Sequence, residues 1–310
     1  MIFGFRDVAF FETMLFTVID GQNMRFNFVK FGLLSVSLGL VSACAPVSIL
    51  NGITPSSTFD RTKNVSFGDG DRDELDIYRA EKPKEMAPVL MFVHGGSWDS
   101  GSKNIYKFLA EGFTKSGFDI VIPNYRIYPN AKFPDFLMDN ADAVAFTRQR
   151  FPGRKIVLIG HSAGAYNVLM LGLRDEHLKR AGVERCEAIS GIVSLAAPVG
   201  VTPLKSAPLT EIFPDRFTAD DAVLNNVTGP APAIFLGHGE KDTTVSPINA
   251  TKLGEKILAR GGVAQVEIYP GQSHSDVVKV LSRHFDGDAT LKADIVNFIE
   301  GLPSTGSTCR

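Results

Sequence analysis

The chain has 310 residues, 21% of them charged, and its 32 basic and 34 acidic side chains leave a net charge of −2. With 44% hydrophobic and 10% aromatic residues, the composition excludes a disordered chain and provides no basic surface for nucleic acid. Three cysteines are too few for a disulfide scaffold, and no Cys/His cluster predicts a metal site.

The first 44 residues have the composition of an export signal. A basic stretch begins at Met24, and the apolar run Phe31–Val41 that follows has 11 residues. A helix that spans a bilayer needs roughly 20 residues, so a cleaved signal sequence is favoured over a transmembrane helix. Residues 1–23 carry acidic side chains that fit no part of a signal, and a start of translation at Met24 would account for them.

The end of this leader, Val41-Ser42-Ala43-Cys44, resembles the lipobox of bacterial lipoproteins. The resemblance implies that Cys44 receives a diacylglyceryl group and becomes the mature amino terminus. The protein would then be exported and held on a membrane by its lipid anchor alone, at the outer membrane and facing the periplasm in a Gram-negative host. The alternatives are a simple signal peptide and an uncleaved anchor with a buried cysteine.

Residues 45–58 are rich in turn-forming and small side chains, which predicts a tether. One folded domain is expected over 59–302, followed by a tail over 303–310. Within the domain, Val65–Phe67 and Leu75–Tyr78 alternate apolar and polar residues and predict a hairpin.

The chain then alternates short apolar runs with segments of helical length. The runs are typical of strands buried on both faces: 89–93, 120–122, 156–159, 192–195 and 234–236. The helical segments between them are 104–116, 135–150, 163–174 and 247–260. This pattern predicts an α/β fold with a doubly wound, mostly parallel sheet. Segment 198–230, with five prolines, is expected to form a short cap over one end of the sheet.

Gly160-His161-Ser162-Ala163-Gly164 lies between a predicted buried strand and a predicted helix. Small residues two before and two after the serine allow strand and helix to approach closely, and the sharp turn exposes the hydroxyl. The pattern would also suit a tight turn with a capping serine, but its position favours a nucleophile at Ser162.

A serine nucleophile requires a histidine base and a carboxylate that orients it. Asp242 and His274 each follow a predicted strand, and the carboxyl ends of parallel strands meet at one crevice. We therefore predict a triad in which Ser162 attacks, His274 transfers the proton and Asp242 orients His274. The nearest rivals, His238 and Glu240, are interpreted as solvated or capping groups.

The turn His94-Gly95-Gly96-Ser97-Trp98, directly after the buried run 89–93, resembles the His-Gly-Gly-Gly turn of esterases. The resemblance implies an oxyanion hole formed by the amides of Gly96, Ser97 and Ala163, and it departs from the family at Ser97, where a third glycine often stands. His94 is expected to brace the loop rather than to act in catalysis. Trp98 fits a pocket wall and the core equally well.

Together these motifs resemble the α/β-hydrolase superfamily, in particular carboxylesterases of the hormone-sensitive-lipase-like and feruloyl-esterase-like groups; kynurenine formamidases are similar too. Asn124–Pro129, Phe133-Pro134 and Asp139 match a stretch that these enzymes share after their second parallel strand. The resemblance covers roughly residues 65–300. It implies a serine hydrolase that cleaves esters of small or aromatic acyl groups through an acyl-enzyme, without metal or cofactor, on a small-molecule partner.

Two alternatives use the same fold: an arylformamidase or amidase with the same triad, and a non-catalytic binding lipoprotein. The sequence does not indicate an oligomeric state. Cys186 and Cys309 could pair in an oxidising compartment, but the position of Cys309 beside the chain end favours free thiols.

Overall fold

The computed structural model describes residues 44–200, 207–213, 222–285 and 290–309. Its centre is an eight-stranded sheet in the order β1-β2-β4-β3-β5-β6-β7-β8. The strands are β1 Phe59–Ser66, β2 Glu74–Ala80, β3 Val89–Val93, β4 Ile120–Pro123, β5 Ile156–His161, β6 Ile189–Leu195, β7 Ala233–Gly239 and β8 Ala264–Tyr269. The pairs β1–β2 and β2–β4 are antiparallel and all others are parallel. The predicted doubly wound, mostly parallel sheet is confirmed.

Helices cover both faces of this sheet. Within the described ranges they are α1 Cys44–Ile53, α2 Lys107–Thr114, α3 Asp135–Arg150, α4 Ala163–Leu173, α5 Glu176–Arg180, α6 Arg185–Ala188, α7 Leu209–Ile212, α8 Ile248–Ala259, α9 Asp276–Lys279 and α10 Thr290–Glu300. Along β3, Met91 belongs to the hydrophobic core that includes residues of α3, α4 and α8, whereas Phe92 belongs to the core that includes residues of α2, α9 and α10. Because neighbouring strand residues face opposite layers, both must be apolar, which explains the continuous apolar runs.

The predicted helix over 104–116 is shorter in the structure, with a 3₁₀ turn at Lys103–Ile105 before α2. Tertiary contacts explain the break. The side chain of Lys103 is fully buried, and its ammonium lies 2.6 Å from Asn64 Oδ1 and 3.1 Å from Asp76 Oδ1. A buried ammonium needs such partners, and the turn places it among them.

The amino-terminal part of the predicted tether is a helix, α1, that is packed on the domain. Leu50 packs against the core on the α2 side of the sheet. Asn51 Oδ1 accepts a hydrogen bond from Lys107 N at 2.7 Å, and Asn51 Nδ2 donates to Asn104 O at 2.8 Å. A polar side chain thus satisfies an amide at the start of α2, a contact that turn composition does not reveal. The predicted leader, residues 1–43, lies outside the described residues.

Among the helices that the structure describes, none combines the length and apolar character needed to cross a membrane.

Within segment 198–230, helix α7 and the residue after it lie against the chain that follows β3 and β4. Phe133 N donates to Ile212 O of α7 at 2.8 Å, and the ring of Phe213 packs 4.8 Å from that of Trp98. Residues 201–206 and 214–221 of the predicted cap are outside the described ranges.

The expectation of free thiols at Cys186 and Cys309 is wrong, because the two form a disulfide with a Cα–Cα distance of 5.2 Å. Thr308 explains how the tail reaches this position. Its amide and its hydroxyl both donate to Cys186 O, at 2.9 and 2.8 Å. The tail over 303–309 is thereby attached at the start of β6.

Removal of this disulfide in Cys309→Ser is expected to lower the free energy of unfolding by roughly 2–5 kcal/mol. The physical reason is that the bond joins residues 123 positions apart and so restricts the unfolded chain. Urea unfolding of the wild type with and without reductant measures the effect, and Cys309→Ser should be insensitive to reductant. A wild-type protein whose stability reductant leaves unchanged would contradict the prediction.

Candidate active site

Ser162 lies on the turn between β5 and α4. Its backbone has φ 53° and ψ −120°, a conformation that is strained for a residue other than glycine. Ser162 N donates to Leu195 O of β6 at 2.9 Å, which holds the strained turn to the sheet. Because Ser162 directly follows β5, it lies at the carboxyl edge of the parallel strands. Its side chain is half-buried there.

Two glycines make this turn possible, because there is no room for a Cβ at either. A Cβ on Gly160 would lie 2.3 Å from Gly164 O, and one on Gly164 would lie 2.1 Å from Val93 O of β3. The close approach of strand and helix predicted from the small residues is confirmed. It also brings the start of α4 against the end of β3.

Asp242 and His274 meet at the same edge, where His274 Nδ1 lies 2.7 Å from Asp242 Oδ2. The other oxygen, Oδ1, accepts from Thr244 N at 2.9 Å and from Val245 N at 2.8 Å. Burial alone would raise the pKa of Asp242, but the hydrogen bonds from Val245 and His274 outweigh it and hold that pKa below its usual range. An ionised Asp242 fixes the Nδ1–H tautomer of His274 and leaves Nε2 able to accept a proton.

His161, which precedes Ser162, connects the serine turn to the His274 loop. Its Nε2 donates to His274 O at 2.8 Å, and the two ring centroids are 4.9 Å apart. Burial, followed by the proximity of His274, lowers the pKa of His161 to about 3. The ring is therefore neutral near pH 7 and acts as a fixed donor. Sequence analysis did not identify His161, whose signal is only its position in the serine motif.

The interpretation of His238 as a solvated or capping group is wrong. Its side chain is 1% exposed, and its Nε2 lies 3.1 Å from Asp242 Oδ2. β7 continues to Gly239, beyond the apolar run that ends at Leu236, so His238 still belongs to the strand and points inward. Glu240, in contrast, is exposed and accepts from Gly271 N at 3.0 Å, as expected of a capping group.

The turn after β3 lies beside Ser162, since a Cβ on Gly95 would be 3.1 Å from that of Ser162. Gly96, Ser97 and Trp98 all have positive φ, at 122°, 50° and 61°. At Gly96 a Cβ would lie 2.3 Å from Ser100 O, so the turn requires glycine there.

The three amides implied by resemblance as the oxyanion hole, those of Gly96, Ser97 and Ala163, donate no hydrogen bond to any described residue. They therefore remain free to bind another acceptor.

His94 and Tyr125 support this turn from beneath. The His94 ring is fully buried and stacks on Tyr125 at 4.4 Å, while Tyr125 Oη donates to His94 O at 2.9 Å. Burial lowers the pKa of His94 to about 4, so the ring packs as a neutral group, in agreement with the bracing role expected for it. Arg72 bridges the loops by donating to Tyr125 O at 2.6 Å and to Gly101 O at 2.9 Å.

Trp98 packs in the core beneath α7. Its Nε1 donates to Asn167 Oδ1 at 2.9 Å, and its ring contacts those of Tyr166 and Phe213 at 5.3 and 4.8 Å. Tyr166 also donates through its amide to Ser162 O at 3.1 Å. This aromatic cluster therefore begins one helical turn from Ser162.

No group of three or more His, Cys, Asp or Glu side chains within the described residues is arranged to hold a metal ion.

The buried neutral state of His161 predicts a loss of stability in acid. An unfolded histidine gains a proton below about pH 6.5, whereas folded His161 does so only near pH 3. Its contribution is complete above about pH 6.5 and falls by about 2 kcal/mol by pH 5. Urea unfolding at pH 7.5 and pH 5 should therefore show a smaller acid loss, by about that amount, in His161→Gln.

The glutamine keeps an N–H donor but does not titrate, and His284→Gln, at an exposed histidine, is the matched control. Equal acid losses in His161→Gln and the wild type would contradict a buried neutral His161.

The chain is similar in sequence to several known enzymes. The chain is 23% identical to the isoprenylcysteine alpha-carbonyl methylesterase of Arabidopsis thaliana, over 98% of this chain and 78% of that protein. It is 25% identical to the kynurenine formamidase of Salmo salar, over 59% of this chain and 60% of that protein. The chain spans 51% to 78% of the length of the methylesterase relatives.

Among solved structures, a hormone-sensitive lipase from a metagenome library matches with a TM-score of 0.66 and 18% identity, over 83% of this chain and 90% of that chain. This similarity concerns the fold, and it confirms the predicted α/β-hydrolase architecture. The BD-FAE family model matches residues 75–257, more than half of the chain and the part that carries the serine turn, the turn after β3 and Asp242. The expected place among the α/β-hydrolase esterases is thus confirmed, and the chain belongs to the BD-FAE family.

Proposed function

We propose that the protein hydrolyses carboxylic esters of small or aromatic acyl groups through an acyl-enzyme on Ser162. The single observation that carries this proposal is the 2.7 Å contact between His274 Nδ1 and Asp242 Oδ2 at the sheet edge that carries the strained serine turn. A serine hydroxyl becomes a nucleophile only beside an oriented base. The esterase relatives support the same chemistry.

In the proposed reaction, Ser162 Oγ attacks the ester carbonyl carbon while His274 Nε2 takes the hydroxyl proton. The tetrahedral intermediate collapses as His274 returns this proton to the departing alcohol oxygen, which leaves an acyl-serine. Water then attacks the acyl carbon, again with His274 as base, and the carboxylic acid is released. Asp242 stabilises the imidazolium in each step.

Negative charge develops on the carbonyl oxygen in both steps, and the free amides of Gly96, Ser97 and Ala163 support its stabilisation. Gly96, Ser97 and Ala163 lie on backbone that is already held by His94 and by the start of α4. Fixed donors of this kind require no reorganisation during the reaction, and one is worth about a hundredfold to a thousandfold in rate.

The aromatic cluster around Trp98 supports the acyl preference. Trp98, Tyr166 and Phe213 are large buried rings that pack on one another, and Tyr166 is joined to Ser162 through its amide, which favours a small or aromatic acyl group over a long chain. Segment 198–230, which is short and rich in proline, has too few residues for a long amphipathic lid of the kind that opens on a lipid surface.

We expect p-nitrophenyl acetate, butyrate and a feruloyl ester to be hydrolysed much faster than the palmitate, and an aryl ester faster than the matching formanilide. Initial rates at equal substrate concentration give the comparison. Faster turnover of palmitate would contradict the acyl preference, and faster turnover of the formanilide would favour an arylformamidase.

Ser162→Ala is the control for that panel and should lower kcat by at least about a thousandfold while the protein stays folded. A serine-reactive fluorophosphonate should label the wild type but not this variant. Undiminished turnover in Ser162→Ala would contradict the nucleophile assignment, and a wild type without labelling or turnover would indicate a binding protein.

We also propose that the protein is exported and lipid-anchored at Cys44. The basic and apolar leader and the lipobox-like end support this placement. α1 begins at Cys44 and exposes Ile49 and Ile53, at 65% and 58%, one helical turn apart. An anchor at Cys44 would therefore hold this apolar face against a bilayer, and a disulfide suits an oxidising compartment.

Cys44→Ser should release the protein from membranes of the producing cell, because the variant lacks the thiol that receives the lipid. Cell fractionation measures the partitioning, and mass spectrometry of the amino-terminal peptide identifies the modification. Cys309→Ser is the matched control and should remain bound. An amino terminus upstream of Cys44, or unchanged partitioning of Cys44→Ser, would contradict the anchor while leaving the esterase proposal intact.

A further inference from the structure

We propose that His238 is a positioning residue that holds the carboxylate of Asp242 and thereby sets how readily His274 accepts a proton. This inference rests on the proposed function, in which Asp242 and His274 form the acid–base pair. It adds to that pair a second imidazole that does not touch the reacting atoms.

The hydrogen-bond partners of His238 define its protonation. Nε2 lies 3.1 Å from Asp242 Oδ2 and 2.9 Å from Val245 O. A carboxylate and a carbonyl both accept hydrogen bonds, so Nε2 must carry the hydrogen and share it between them. The side chain is 1% exposed, and water therefore competes little for this hydrogen.

As a consequence, four donors surround the carboxylate of Asp242. The amides of Thr244 and Val245 bind Oδ1, while His274 Nδ1 and His238 Nε2 both bind Oδ2. The amides fix the plane of the carboxylate, and the two imidazoles share the charge on one oxygen. His238 thus limits the charge with which Asp242 stabilises protonated His274.

The titratable groups that face His238 are few. Asp242 faces it from the loop after β7, His274 from the loop after β8, and His161 from the end of β5. Burial lowers the pKa of His238, and burial likewise keeps His161 neutral. Near neutral pH, His238 therefore acts on Asp242 as a neutral N–H donor and not as a second positive charge.

His238→Phe is expected to lower kcat/KM on the plateau by about tenfold, because Asp242 loses one of the donors that hold it. In a plot of kcat/KM against pH, the acidic limb should move to higher pH by about half a unit. The direction follows from the charge, since an Asp242 freed of His238 stabilises the imidazolium of His274 more strongly. Rates with a short-chain ester across pH 4.5–9 measure both effects.

Two further variants separate positioning from packing. His238→Gln keeps an N–H donor and should retain the wild-type acidic limb and most of the activity. His177→Phe removes a histidine that is also buried but lies on α5, and it should leave the acidic limb unchanged. If His238→Phe does not fold, His238→Asn gives the same comparison, because its side chain is too short to bridge to Asp242.

A measurement on the resting protein completes the test. The proton between His274 and Asp242 is expected to give a far-downfield resonance in the NMR spectrum, and it should shift in His238→Phe but not in His177→Phe. Equal losses in the Phe and Gln variants, with unmoved acidic limb and resonance, would overturn the inference in favour of packing alone. A shifted resonance in a protein without esterase activity would instead retain the inference and contradict the proposed function.

Discussion

The close contact between α4 and β3 is the constraint on which the candidate site depends. A Cβ on Gly164 would lie 2.1 Å from Val93 O, so the helix can meet the strand only because a hydrogen stands there. This contact places the amino terminus of α4 beside the turn after β3. The strained Ser162 and the amides of that turn are neighbours for this reason, and the positive end of the helix dipole points at the same place.

Around this contact, the loops are held by buried polar groups that have defined partners. The ring of His94 stacks on Tyr125, and Tyr125 Oη donates to His94 O. Arg72 donates to the carbonyls of both Tyr125 and Gly101. His161 ties the serine turn to the loop of His274. These contacts fix the turn after β3, the serine turn and the loop of His274 relative to one another.

The same framework leaves the substrate open to local variation. Among the methylesterase, formamidase and lipase matches, sequence identity to this chain is no more than 25%, and a fold of this kind hosts many chemistries. In folds of this kind, substrate choice depends on the segments that cover the crevice at the carboxyl ends of the strands. In this chain α7 is followed by Phe213, which packs against Trp98.

Sequence patterns alone were enough to derive the mostly parallel sheet, because strands buried on both faces need continuous apolar runs. They also placed Asp242 and His274 each after a predicted strand, and in the structure His274 Nδ1 lies 2.7 Å from Asp242 Oδ2. The burial of His238, the disulfide between Cys186 and Cys309 and the packing of α1 were decided only by the tertiary structure. Each depends on contacts between side chains that local periodicity does not encode: His238 belongs to the sheet because β7 extends to Gly239, the disulfide joins residues 123 positions apart, and α1 is held by Asn51, 56 positions before its partner Lys107.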